Sequence, residues 1–368
     1  MTEPAAPPTP ASSPCSNCLA PRLPESELCP ACGWTPSGPS ASLLASARRW
    51  GIGLGWWGIA CAILLFAVGL ITVETGQKSA GVVLMTWAAI YGVGVLAAVY
   101  RRAAALLVLA VHATVCAVVS FIAISKAVTV EQSRQVGIAA LIYLLNAVLF
   151  VVGAVRAGRA EKGGTSLLRP WLAAILPLLL GLMLGISQRP DLFAISVTVA
   201  TLGATIAGWN IVRGGDRGFR LPARPAADLA LAVGLAVSVW GVAWAYNHWL
   251  AGVFGPQILS LNPILDQMPA GLKLACLVIL VPACEEILFR GAIHGRLRAG
   301  WDSWTAIAAG AAMFALIHLS PLGFPWLLVL GAALGFARER SGSLLPGFVI
   351  HAAVNAGMLF GPSYLSRL

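Results

Sequence analysis

Charge is what this 368-residue chain has least of: Asp, Glu, Lys and Arg make up only 10% of it. An ordinary soluble domain carries about 25%. With 58% hydrophobic residues and a mean hydropathy of +0.84, the chain lacks the polar surface needed to face water. That excludes a soluble globular enzyme and a disordered polypeptide. Eight cysteines in so long a chain are too sparse for a secreted disulfide scaffold. Acidic residues are scarcer than basic ones, 14 against 24, for a net charge of +10. Most of the cations sit in short gaps between apolar runs, where they orient segments, and nucleic acid is not an expected partner. A signal peptide is also missing, since the first 49 residues contain no apolar core.

Long apolar runs are what the chain has instead. A membrane-spanning helix needs about 20 apolar residues. Runs near that length cover 50–73, 79–100, 103–125, 136–155, 170–187, 192–212, 227–250, 271–294, 303–319, 322–337 and 343–360. The expected fold is therefore all-α, a polytopic helical bundle of about eleven transmembrane helices with a small N-terminal zinc knuckle. Residues 1–14, rich in Pro and Ala, read as disordered. The knuckle spans 15–34, a linker 35–47, six N-terminal helices 48–225, and a second helical domain 226–368.

Alternate gaps differ in charge. Sixteen cations between Arg48 and Arg340 fall on one side, against Lys78, Lys126, Arg134, Arg189 and Lys273 on the other. The positive-inside rule then puts the N-terminus in the cytoplasm and the chain, multi-pass, in a plasma (inner) membrane.

The knuckle rests on spacing. Cys15-x2-Cys18 and Cys29-x2-Cys32 can hold Zn²⁺ between four thiolates, and so short a segment has no other means of staying folded. Two disulfides would need an oxidising compartment, at odds with a cytoplasmic N-terminus. Cys61, Cys116, Cys276 and Cys284 lie singly in apolar runs and read as small core residues. His112, Asn146 and Asn210, isolated among apolar neighbours, read as interhelical hydrogen-bonding groups.

Chemistry concentrates in the last hundred residues. The eighth run holds Glu285, Glu286 and Arg290, the ninth Phe314 and His318, the eleventh His351 and Asn355. A charge at the bilayer centre costs about 2.5–3.5 kcal/mol by insertion assays, so these groups demand partners. Glu286 and Arg290 share a helix face and can pair. At about 1.5 Å per residue from the basic turns, Glu285 lies roughly 18 Å up its helix and His318 roughly 22 Å up the next. His351 and Asn355 come to roughly 14 and 20 Å. Three helices thus bring polar groups to one layer.

A carboxylate, two imidazoles and an amide at one depth suit hydrolysis. A base must take the proton of water as it attacks, and N–H donors must hold the oxyanion that results. His351 and Asn355, on one face, suit the second task. A competing site would place Zn²⁺ among Glu285, His318 and His351, but it lacks the H-E-x-x-H spacing. Two non-hydrolytic readings compete as well: a membrane scaffold or immunity-type protein whose knuckle grips a cytoplasmic partner, and a proton-coupled transporter.

The ordered pattern E-E-x-x-x-R, F-x-x-x-H, H-x-x-x-N, standing here as Glu285-Glu286…Arg290, Phe314…His318 and His351…Asn355, resembles the CAAX-protease and bacteriocin-processing (CPBP or Abi) membrane endopeptidases. The resemblance covers about residues 229–360 and leaves out the knuckle and the first six helices. It implies an intramembrane endopeptidase acting on a membrane-associated protein or peptide. It also implies that Glu285 activates water with His318, that Glu286 and Arg290 shape the site, and that His351 and Asn355 hold the oxyanion, with no catalytic metal.

The knuckle reading gives a first prediction. Elemental analysis of the purified protein should find about one zinc per chain, lost on Cys29→Ser. Wild type without zinc would remove it.

Overall fold

The structure, a computed structural model, describes residues 34–35, 38–39, 41–74, 78–100, 102–124, 130–160, 167–184, 189–212, 216–254, 265, 267–320 and 322–361. Cys15, Cys18, Cys29 and Cys32 lie outside them. A two-residue antiparallel pair, β1 (Trp34–Thr35) and β2 (Gly38–Pro39), precedes the helices.

Among the described residues the long elements are α1 (Ala41–Glu74), α2 (Lys78–Tyr100), α3 (Arg102–Ile124), α4 (Val130–Ala160), α5 (Leu168–Leu184) and α6 (Pro190–Ile211). They continue with α7 (Pro225–Phe254), α8 (residues 270–298), α9 (Ser303–Ile317), α10 (Phe324–Ser341) and α11 (Leu345–Phe360). The eleven apolar runs and the eleven helices coincide one for one. α1 begins at Ala41, inside the segment expected as linker: Leu43, Leu44 and three alanines there are good helix formers, and they extend the spanning helix past its apolar core. Among the described residues, five helices are both long and apolar enough to cross a bilayer by length and composition alone. α9 and α11 are apolar but shorter, and α8 is interrupted by its charges. The protein is an integral membrane helical bundle.

The pairs α1–α2, α3–α4, α5–α6 and α9–α10 pack closely. α3 is the most enclosed: Leu106, Leu107, Ala110, Val111 and Ala113 are almost wholly buried. α1 turns Trp56, Ile63 and Ile71 outward, the apolar exterior a lipid-facing helix needs. α9 packs on α3, so the two halves share one core. Asn146 on α4 accepts from the Trp57 indole at 2.6 Å and donates to the Cys61 thiol on α1, an interhelical link as expected. His112 is wedged edge-on between Trp87 and Tyr91 of α2. Asn210 departs from expectation: its amide donates to Ile206 O one turn back on the same helix, and its face is exposed.

The basic end of the bundle is fastened by polar contacts. Glu339 on α10 accepts from the Ser303 hydroxyl and meets Arg298 and His294 at 2.7 Å each, tying α8, α9 and α10. The α6–α7 loop is strapped across the same end. Arg338 donates to Asp216 O, Arg220 donates to Gly342 O, and Leu344 N–H donates to Gly218 O. Gly342, with φ of 68°, ends α10 in the left-handed conformation that only glycine adopts freely.

The Gly218 N–H, with Arg338 and Arg220 beside it, holds the Asp216 carboxyl below the usual carboxylate range. A depressed pKa contributes stability above the unfolded value, about 3.9, and that contribution is lost as pH falls through the folded value. In detergent, Asp216→Asn should therefore melt below wild type at pH 7, and the gap should close as pH drops under about 4. A gap that does not change with pH would contradict this.

Candidate active site

α8 holds the charges, and its backbone is irregular around them. Two stretches, Lys273–Leu280 and Glu286–Ile293, are wound as π-helix on either side of Val281–Glu285. Such bulges shift hydrogen-bond partners by one residue and recur at functional sites. Here Val281 N–H bonds Cys276 O, so the next carbonyl, Leu277, would be answered at Pro282, which has no N–H. The Asn355 amide supplies the missing donor at 2.9 Å. An orphan created by one proline on α8 thereby fixes the side chain of a residue on α11. Thr205 on α6 donates to Cys284 O, next to Glu285, at 3.0 Å.

Glu285, Glu286 and Arg290 are all buried. Arg290 lies 3.1 Å from Glu286 Oε1 and donates to Gly331 O at 3.2 Å. The pairing expected from their spacing is therefore present, and α10 completes it. His351 enters between the two carboxylates: Nδ1 is 3.1 Å from Glu286 Oε1 and Nε2 is 3.5 Å from Glu285 Oε2. One imidazole from α11 thus bridges the adjacent acids of α8.

Phe314 is the wall on which the group assembles. Its fully buried ring meets Phe289, His318 and His351 edge-on at 5.5, 4.6 and 5.5 Å. The Arg290 guanidinium lies 4.4 Å over it, an attractive placement for a cation on an aromatic face. α9 stops at Ile317, and His318 follows as its accessible cap. Nδ1 of His318 is 2.7 Å from Phe314 O. A carbonyl only accepts, so Nδ1 carries a proton, and in the neutral ring Nε2 keeps its lone pair. Glu285 and His318 are beyond ion-pair reach of each other; Glu285 meets His351, and His318 meets Phe314.

The structure therefore brings Glu285, Glu286, Arg290, Phe314 and His351 into one connected group. His318 adjoins it through Phe314, and Asn355 stands one turn along α11 from His351. Among the described residues no three His, Cys, Asp or Glu side chains are grouped to hold a metal ion.

Sequence reasoning missed Gly347. A Cβ there would stand 2.7 Å from Glu286 Oε2, so the carboxylate occupies space that only glycine leaves. The signal was available, since Gly347, His351 and Asn355 recur every fourth residue on one face of α11. Pro282 and Leu277 were missed as well; nothing in the sequence announces a π-turn.

Fold and site together define a helical membrane protein with a buried carboxylate–imidazole centre in its C-terminal third. Residues 267–357 match the family model described as Rce1-like, the type II CAAX prenyl endopeptidase Rce1-like family. That stretch contains all seven site residues and none of the first six helices. A curated relative, the UPF0177 protein YxdF of Lactococcus lactis subsp. lactis (strain IL1403), is 30% identical over 113 residues. The matched stretch is 30% of this chain and 59% of that protein, so less than two thirds of the relative is spanned. No solved structure matches the chain.

Gly347→Ala tests the geometry apart from any activity. Overpacking a filled core costs about 1–3 kcal/mol, and here it also displaces Glu286 from His351 and Arg290. The variant should unfold at a clearly lower temperature in detergent; an unchanged melting point would show that Glu286 is not confined as described.

Proposed function

We propose that the protein is an intramembrane endopeptidase hydrolysing a peptide bond of a membrane-associated protein or peptide, by water activated at Glu285 and His318. The observation that carries this reading is the bridge of His351 between the two buried carboxylates, beside a second imidazole with a free lone pair. With a proton on each nitrogen of His351, the charges of Glu285, Glu286, Arg290 and His351 sum to zero, as an apolar interior demands.

Glu285 takes a proton from water while the Nε2 lone pair of His318 orients it. The oxygen attacks the scissile carbonyl carbon and the carbonyl electrons move onto oxygen. Nε2–H of His351 and the second amide N–H of Asn355 hold that oxyanion. Collapse breaks the C–N bond, and the amine leaves with the proton from Glu285. Glu286, fixed by Arg290 and by the gap at Gly347, keeps the His351 ring in register.

The contact chain Glu286–His351–Glu285 also gives some footing to the proton-transport reading. In the preferred orientation the basic end faces the cytoplasm, and the knuckle, with its structural zinc, lies on that side.

On membrane-anchored peptides in detergent, Glu285→Gln should lose activity by about 10²–10⁴-fold, the scale of general-base catalysis. Asn355→Ala should lose about 10²–10³-fold in kcat, the scale of one oxyanion donor. Equal cleavage by wild type and Glu285→Gln would end the reading; loss of proton flux in liposomes without any cleavage would favour transport.

A further inference from the structure

Directly after His318 the backbone takes a conformation that its side chain disfavours. Leu319 has φ of 55°, and among the described residues it is the only non-glycine in the left-handed region. Gly342 ends α10 in the same region, where glycine meets no steric penalty. A leucine there crowds its Cβ against the backbone and persists only where the surroundings hold it. Its own side chain supplies that hold, half-buried against the main hydrophobic core.

The consequence falls on His318. Pro321 would let α9 run on to about Ser320, yet the helix stops at Ile317. Leu319 N–H closes the end on Leu316 O at 3.3 Å, a pairing that accompanies a left-handed residue after the cap. In this tightened turn the His318 N–H also faces Leu316 O. Phe314 O, which that N–H would meet in a regular turn, takes the imidazole instead, with Nδ1 at 2.7 Å. The ring thus stands in for a backbone donor, and the same contact puts a proton on Nδ1.

We propose that Leu319 is a positioning residue for His318: its left-handed backbone ends α9 early enough for Phe314 O to fix the imidazole with Nδ1 protonated. The use made of the Nε2 lone pair rests on the endopeptidase reading; the placement of the ring does not. Glycine would make this turn without strain, but it would permit other turns too and has no side chain to fasten the end of α9 to the core. Leucine supplies the anchor and, once anchored, is held in the turn.

The test compares two side chains of similar size. Asparagine tolerates the left-handed region, whereas isoleucine, branched at Cβ, does not. The chain has five histidines, so nitrogen NMR of histidine-labelled protein in detergent is assigned by the signals lost in His318→Gln. At about pH 8.5, above the ordinary imidazole pKa of about 6.5, wild type and Leu319→Asn should show His318 protonated at Nδ1 and bare at Nε2. Leu319→Ile should lose that fixed tautomer. On a cleavable membrane-anchored peptide its kcat should fall about 10–10²-fold with KM within about twofold, the scale of a reacting group displaced by about 1 Å. An intact Nδ1–H signature in Leu319→Ile would overturn the proposal. So would its loss in Leu319→Asn, which would trace the effect to apolar packing and which decides the matter even where Leu319→Ile does not fold. A tautomer lost with kcat unchanged would separate Leu319 from the reaction and overturn its role. Wild type that cleaves no peptide, with the tautomers as expected, would defeat the endopeptidase reading and leave the placement of the ring standing.

Discussion

The structure turns on one constraint: charge inside an apolar bundle must be answered locally. Glu286 and Arg290 answer each other at 3.1 Å, and everything around them serves to keep that pair dry and filled. Gly331 gives Arg290 a carbonyl, Phe314 gives it an aromatic face, and Gly347 gives Glu286 room. None of these is a catalytic group. Together they let a helix carry three charges through the bundle, and they leave Glu285, the adjacent acid, pointing at an imidazole instead of at a permanent cation. A buried pair is weak evidence for stability, because replacing it with well-packed apolar residues is often neutral or better. Its presence is thus better explained by the second acid, Glu285, that it makes tolerable beside it.

Backbone irregularity does the positioning. A regular α8 would satisfy Leu277 O itself and have nothing to offer Asn355 there. The π-turn and Pro282 open that ladder, the Asn355 side chain from α11 closes it again, and the Thr205 hydroxyl from α6 adds a bond to Cys284 O. Each bond fixes a residue from another helix against the site. Catalytic geometry is sensitive to displacements of about 1 Å, so a site cross-tied by its backbone is better held than one built on packing alone.

The pattern of what the sequence revealed follows from this. Eleven apolar runs mark eleven helices because spanning length is a coarse, additive property. The pairing of Glu286 with Arg290 was legible from spacing on one helix, and the convergence of three helices from counting rises above shared turns. Direct contact of His351 with both acids was not legible, since depth along an axis says nothing of rotation about it. Asn210 shows the same gap: a lone amide in an apolar run looks interhelical until the face it occupies is known. Gly347 was invisible for another reason, because a residue that acts by having no side chain leaves no chemical mark. The knuckle cysteines belong to a segment whose evidence is its spacing alone.

The first six helices lie outside the matched family segment, yet they are not merely appended to the site. Thr205 and Gly208 stand three apart on α6, one bonding the carbonyl beside Glu285 and the other leaving room for Leu288 on the far side of the same turn. The loop that follows α6 then crosses the basic end, where Gly291 and Gly295 of α8 admit its backbone and Arg338 of α10 grips it. α8 is therefore held along its length by the N-terminal half, from the turn that carries the two acids to the basic end. A helix weakened by two π-turns needs such a brace. A displacement of α6 or of the loop after it would also be delivered there, to the helix that carries both acids.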